Sequence, residues 1–317
     1  MAANWMRRTL MVAACASAAL LAACGSSTTE SAITPQRFIA FGDAMNDVGQ
    51  NGSRYTVNDG SVNNWTLQVV ANYGKSLTPV SAGGLSYATG NARVSAKPDA
   101  AGNASTRTVT EQIDAFLASG SFAATDVVMV SGGVSDVIAG MAAVNAGTLT
   151  QDAMVAAARK AGEDLAAQVR RLVTAGAKYV VVTGTYDLSK TPWATDIGRT
   201  TVLNSASSAF NEGLLVGIVD LGANVLYVDL AYYVNLYTSS PSAYGFENAT
   251  KAVCTSVDAT DGIGIGAGKV NSALCTTSTL LASANQDKYA FADSVYLTPS
   301  AQRQFGTYAY DRLRSRW

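Results

Sequence analysis

Residues 38–50 read FIAFGDAMNDVGQ. Phe38-Ile39-Ala40-Phe41 run apolar, without alternation, into Gly42-Asp43, the pattern of a strand buried on both faces that ends in a tight turn. In open α/β folds such a turn carries a side chain to the carboxyl end of the sheet, where ligands bind. The side chain delivered here is that of Ala44, which has no reactive atom.

Working outward, apolar strands recur at 126–130, 178–183 and 224–228, the first followed by Ser131-Gly132-Gly133. Helical spacing fills the intervals: helices are predicted over 65–73, 110–117, 148–176, 202–221 and 300–313. The third is the clearest. Met154, Ala158, Ala161, Leu165, Val169 and Leu172 recur at steps of four and three, Thr148 with Gln151 reads as a capping box, and Gly176 closes it. Alternating apolar strands and helices predict a three-layer α/β sandwich around a parallel sheet of flavodoxin-like topology. The segments predict a single domain over 37–317, with an excursion from the α/β core at about 240–290.

The N-terminal stretch reads as a targeting signal over 1–23. Arg7-Arg8 precede an apolar run at 10–23, shorter than the ~20 residues that cross a bilayer. The run closes on Leu21-Ala22-Ala23-Cys24 and a polar tether at 24–36. This resembles a bacterial lipobox, with Cys24 as the lipidated residue. Gly25 after the cysteine resembles lipoproteins sorted to an outer membrane. The expectation is a chain held in the cell envelope by its N-terminal lipid. Without Arg7 and Arg8 it keeps 20 basic against 23 acidic residues, a net charge of −3, and the expectation is that it has no positive patch to hold anionic lipid. Nor is there a basic stripe for nucleic acid. Cys254 and Cys275 remain after the signal and the anchor; in an oxidising compartment they read as a disulfide, with two buried thiols as the alternative.

The chain contains no histidine. That excludes Ser-His, Cys-His and His-ligated metal chemistry together. The stretch GIGIGAGK at 262–269 lacks the glycine and Ser/Thr positions of a phosphate-binding loop and reads as a mobile loop inside the disulfide. No cofactor or metal site is legible.

Four blocks in order resemble the SGNH, or GDSL-motif, hydrolases, which are α/β esterases, lipases and phospholipases. They are Phe41-Gly42-Asp43-Ala44-Met45-Asn46-Asp47-Val48-Gly49, Ser86-Tyr87-Ala88-Thr89-Gly90-Asn91-Ala92-Arg93, Gly133-Val134-Ser135-Asp136, and Asp293-Ser294-Val295-Tyr296-Leu297-Thr298-Pro299. The resemblance implies roles for particular positions. Ala44 stands where the family has its nucleophilic serine, and Tyr296 where it has the histidine base. Asp293 is the retained acid that orients that base. Gly90, with Asn91 as the other register, and Ser135 stand at the oxyanion-hole positions.

Losing the nucleophile or the base alone costs about 10⁶ in turnover in subtilisin; here both are replaced. Tyrosine, with a reference pKa of about 10, is no substitute base near neutrality. Rescue by Ser135 as a displaced nucleophile, or by Asp43, Asp47 or Asp293 activating water, lacks a visible base or partner. The expectation is a pseudoenzyme that retains a cleft for an acyl-ester, lipid or glycan ligand. A divergent esterase and an envelope scaffold are the alternatives. Trp65, Tyr73, Tyr87 and Tyr232-Tyr233-Tyr237 are candidate cleft walls, more readily explained as packing.

Overall fold

A computed structural model describes residues 33–317. The expected signal, Cys24 and most of the tether lie outside the described residues. The core is a parallel sheet of β1 (Phe38–Phe41), β2 (Val127–Ser131), β3 (Tyr179–Thr183) and β4 (Val225–Tyr227), in that spatial order. Phe38 pairs with Val127, Val127 with Tyr179 and Val180 with Val225. All residues of β1 and β2 are buried, as unalternating apolar runs require.

Beyond β1 the segment around Ser86 adds a single parallel bridge. Ala40 N donates to the Leu85 carbonyl (3.1 Å) and Tyr87 N to the Ala40 carbonyl (2.7 Å). The chain therefore leaves β1 in both lateral directions, and the switch point lies between β1 and β2. Open α/β sheets place their sites at such a crevice.

Helices flank the sheet in two groups. In one, α4 (Gln151–Thr174) packs along α6 (Thr200–Ile218), with α2 (Val109–Ser119) and α3 (Val134–Asn145) beside it. In the other, α1 (Trp65–Asn72) packs on α8 (Pro299–Arg316), with α7 (Leu230–Ser239) alongside; the short α5 (Pro192–Asp196) sits against α6. The approach of α4 to α6 depends on glycine: a Cβ at Gly162 would lie 2.0 Å from the Phe210 carbonyl oxygen.

The capping box expected at Thr148 does not form, and the cap falls two residues later. Thr150 is the N-cap of α4, its hydroxyl accepting from Ala153 N at 3.2 Å. Thr148 and Leu149 donate their N–H groups back to Ala143 at the end of α3, so the new helix cannot start sooner. Helix α3 was not expected because its buried face, Val134 to Ile138 and Met141, has no amphipathic period.

The 240–290 excursion carries more structure than a loop. β5 (Asn248–Ala252) pairs in parallel with β8 (Tyr289–Phe291), and β6 (Val257–Asp258) pairs antiparallel with β7 (Lys269–Val270). Cys254 and Cys275 form a disulfide with Cα atoms 5.9 Å apart. With Val57, Val253 and Ala292 they make a small second core. The Gly-rich stretch is pinned and not a free loop: Ile263 is buried in the main core. Closing a loop of 21 residues contributes about 3 kcal/mol in the chain-entropy picture. Replacing both cysteines by serine is expected to lower unfolding free energy by about that amount in urea titrations; no change would mean the small core holds without its link.

Candidate functional site

The β1 turn is built as the sequence anticipates. Gly42 has φ +146°, and a Cβ there would lie 2.4 Å from Ser131 Oγ on the neighbouring strand. Gln112 on α2 clamps this glycine, accepting its N–H (2.8 Å) and donating to its carbonyl (2.9 Å). Asn46 Nδ2 donates to the Phe41 carbonyl (2.9 Å) and Asn46 Oδ1 accepts from Trp65 Nε1 (2.9 Å). Ala44 is held rigidly at the strand end and is buried, 1% exposed.

Asp43 Oδ1 accepts from Met45 N (3.1 Å) and from the Ser131 hydroxyl (3.2 Å), while its Oδ2 is buried with no partner among the described residues. Burial pushes this carboxyl up to about 6 against the pull of those two donors. Burial raises Asp136 to about 6 as well, opposed by Arg93 and by the Val94 N–H. A carboxyl whose folded value lies above its unfolded one, about 3.9, holds its proton more tightly when folded. Its stabilising contribution is therefore complete below about pH 4 and is lost as pH rises to about 6. Asp43→Asn, which can keep both bonds to Oδ1, is expected to flatten that interval by up to about 3 kcal/mol. Urea denaturation across the interval checks this, and an unaltered slope would show that Asp43 ionises freely.

The other acids are spent on the backbone. Asp47 Oδ1 accepts from Gly49 N (2.8 Å) and Gln50 N (2.7 Å), and its Oδ2 accepts from Gly90 N (2.7 Å). The N–H at the expected oxyanion position is thus committed to a carboxylate. Asp293 accepts from Val295 N and Tyr296 N, both 2.7 Å, and from Ser272 N at 2.9 Å. It bonds the backbone of Tyr296 and anchors the loop before α8, although burial still raises its carboxyl.

Tyr55, which the sequence analysis did not single out, fills the space between these groups. A Cβ on Gly90 would lie 2.0 Å from its ring, and that ring meets Tyr296 edge-on with centroids 5.3 Å apart. Tyr296 is fully buried, and its hydroxyl has no partner among the described residues. Burial pushes its phenol far above the usual range, and the nearby Asp43, Tyr186 and Asp293 add to this. Tyr186, at the end of β3, donates its hydroxyl to the Val295 carbonyl (2.7 Å). Its place after a strand was a usable signal; Tyr55, in a loop without period, offered none.

Ser135 is buried in the first turn of α3, its hydroxyl also without a partner among the described residues. Asn91 has φ +62° and donates Nδ2 to the Gly262 carbonyl (2.9 Å), tying the Gly-rich stretch over this end of the sheet. The structure therefore gathers Asp43, Tyr55, Gly90, Asp293 and Tyr296 around the Ala44 turn, but every one of the family positions is buried. Among the described residues no open cleft reaches Ala44, which is buried, and the Tyr55 ring stands against Gly90 and Tyr296 at this end of the sheet. The open groove nearby is displaced: about 540 Å³, lined by Arg93, Asp99, Trp193, Ile197, Gly264 and Gly266. A larger apolar groove of about 780 Å³ between α4 and α6 includes none of the site residues. Most of the candidate wall aromatics are packing groups; Tyr232 is exposed, and Tyr87 also lines a shallow groove of about 360 Å³ with Gln50 and Thr89. Trp65 meets Phe305, Tyr73 meets Phe38 and Tyr310, Tyr87 meets Phe116, and Tyr233 meets Tyr308.

A parallel sheet with its switch point at a Gly-Asp-x turn, faced by an Asp-x-x loop ahead of the last helix, is a hydrolase-type α/β architecture. The chain belongs to the GDSL-like Lipase/Acylhydrolase family, whose sequence profile matches residues 38–308. It is 28% identical over 160 residues to a Pseudomonas putida protein described as an uncharacterized protein in the trpE-trpG intergenic region. That match takes in 50% of this chain and 26% of the relative, so the chain spans about a quarter of the relative's length. One solved crystal structure aligns with 89% of this chain and 98% of its own at 16% identity, with a TM-score of 0.45.

Proposed function

We propose that this protein is a catalytically silent member of its family, lipid-anchored in the bacterial cell envelope, that acts by binding and not by ester hydrolysis. One observation carries the reading: the nucleophile and base positions hold Ala44 and Tyr296, both buried, in a chain without histidine. Acyl transfer needs a nucleophile, a proton acceptor and a place for the ester carbonyl. Here the first two are replaced and the third is occupied by Tyr55. The lipobox-like Leu21-Ala22-Ala23-Cys24 supports the anchor. The displaced groove joins a cation, a carboxylate and an indole, a mixture suited to a glycan or to an acyl chain with a polar head.

Purified protein is expected to leave p-nitrophenyl acetate at its uncatalysed rate, while thermal-shift titrations with oligosaccharides and fatty acids find a stabilising ligand. Turnover that co-purifies with the protein and falls on Ser135→Ala or Asp293→Asn would defeat the silent reading. If every ligand left the melting point unmoved, the scaffold role would stand in place of ligand binding.

A further inference from the structure

The candidate site occupies the end where the strands finish. The opposite pole, where they begin, collects basic side chains that lie far apart in the sequence. Arg37 precedes β1 and Lys178 precedes β3, while Lys75 Nζ donates to Gln36 Oε1 (3.4 Å). Arg170 and Arg171 stand near the end of α4, ahead of β3. Helix α8 also finishes here. Trp317 packs on Tyr179, the first residue of β3, with centroids 5.2 Å apart, and Arg316 donates to the Gly222 carbonyl ahead of β4. Arg312 and Arg314 share that final stretch.

Asp114, Asp126, Asp220 and Asp311 are the acids of this pole, so basic side chains outnumber them two to one. Arg37–Asp126, Arg170–Asp220 and Arg171–Asp114 are paired, each at 2.6 Å. Lys75, Lys178, Arg312, Arg314 and Arg316 have no side-chain carboxylate partner among the described residues. The described chain as a whole has more acid than base, so this excess is local. Val219 stands 80% exposed beside it.

We propose that this pole is a docking surface for an anionic phospholipid bilayer, turning the closed site away from the membrane. The inference rests on the lipid-anchored reading above. The chain enters the described residues at Ile33, which is buried in the main core, and reaches β1 through Gln36 and Arg37 at this pole. The nine-residue span from Cys24 to Ile33 reaches at most about 30 Å, less than the domain's own diameter. An anchored chain therefore meets lipid with this pole first. Unpaired Lys and Arg attract anionic headgroups, and Trp317 and Val219 are the indole and aliphatic groups that settle at an interface. No run of sequence carries such a patch; folding assembles it.

The test uses the full chain and vesicles of phosphatidylcholine with or without phosphatidylglycerol. The ratio of partition coefficients between the two isolates the charge contribution whatever the anchor supplies. Mass spectrometry of the N-terminal peptide separately reads acylation of Cys24; an unmodified cysteine would end the anchored reading and leave the ratio as the test of the pole. The ratio is expected to favour the anionic vesicles strongly, to shrink with added salt, and to fall about a hundredfold in Arg312→Gln/Arg314→Gln/Arg316→Gln. Lys75→Gln/Lys178→Gln, on exposed loops, is expected to lower it by more than tenfold should the triple variant fold poorly. A ratio near one, or a preference that survives both sets of changes, overturns the proposal. So does capture by polyglutamate with indifference to vesicles.

Discussion

Ala44→Ser alone is expected to leave p-nitrophenyl acetate hydrolysis at background, and Ala44→Ser/Tyr296→His to raise it only weakly. A serine hydroxyl at the turn needs a base to take its proton, and without histidine the chain supplies none. In subtilisin the missing base alone costs about 10⁶. The double variant restores both reactive groups but not their surroundings. Asp293, which should orient the imidazole, is occupied by three backbone N–H groups. The Gly90 N–H that should meet the oxyanion is bonded to Asp47, and losing one such donor costs about 10²–10³. Tyr55 stands against Gly90, where the ester would lie. Adding Tyr55→Ala to the double variant is therefore expected to increase the rate further, by admitting substrate. The measurement is stopped-time chromogenic assay at high protein concentration. Robust turnover by Ala44→Ser alone would reveal a base that neither the sequence nor the fold accounts for.

Tyr296 is expected to behave as a core residue whose hydroxyl is dispensable. Tyr296→Ala should lower the unfolding free energy by about 3–5 kcal/mol, the range for deleting a large buried aromatic. Tyr296→Phe keeps the ring and its edge contact with Tyr55 while removing a buried hydroxyl that has no partner among the described residues. Leaving such a group unpaired costs about 1–3 kcal/mol, so this change should be neutral or stabilising by about 1 kcal/mol. Equilibrium urea denaturation of the two variants reads both. A loss of more than about 2 kcal/mol in Tyr296→Phe would mean that the hydroxyl is bonded in the folded protein. Together the pair separates a plug, which needs the ring, from a proton-transfer group, which needs the oxygen.

Most of the scaffold was legible in the sequence because its signals are local. The unalternating runs of β1, β2 and β3 report burial on both faces, and the four-and-three spacing of α4 reports one face of a helix. Elements whose formation depends on distant partners were not legible. β8 is three residues long and exists because β5 lies beside it; α3 is buried too evenly to show a period. The cap of α4 fell two residues from its expected place because α3, itself unseen, consumed the N–H groups of Thr148 and Leu149.

The division at the site follows the same line. That no imidazole and no strand-end hydroxyl stand at the reactive positions is a matter of covalent identity, and the sequence alone determines it. Whether the emptied position stays open or closes depends on Tyr55, brought against Gly90 and Tyr296 across 35 and 241 residues of chain, and only packing decides that. The basic pole has the same origin. Its charges are dispersed from Arg37 to Arg316 and become a surface because parallel strands start, and the last helix ends, at one end of the sheet.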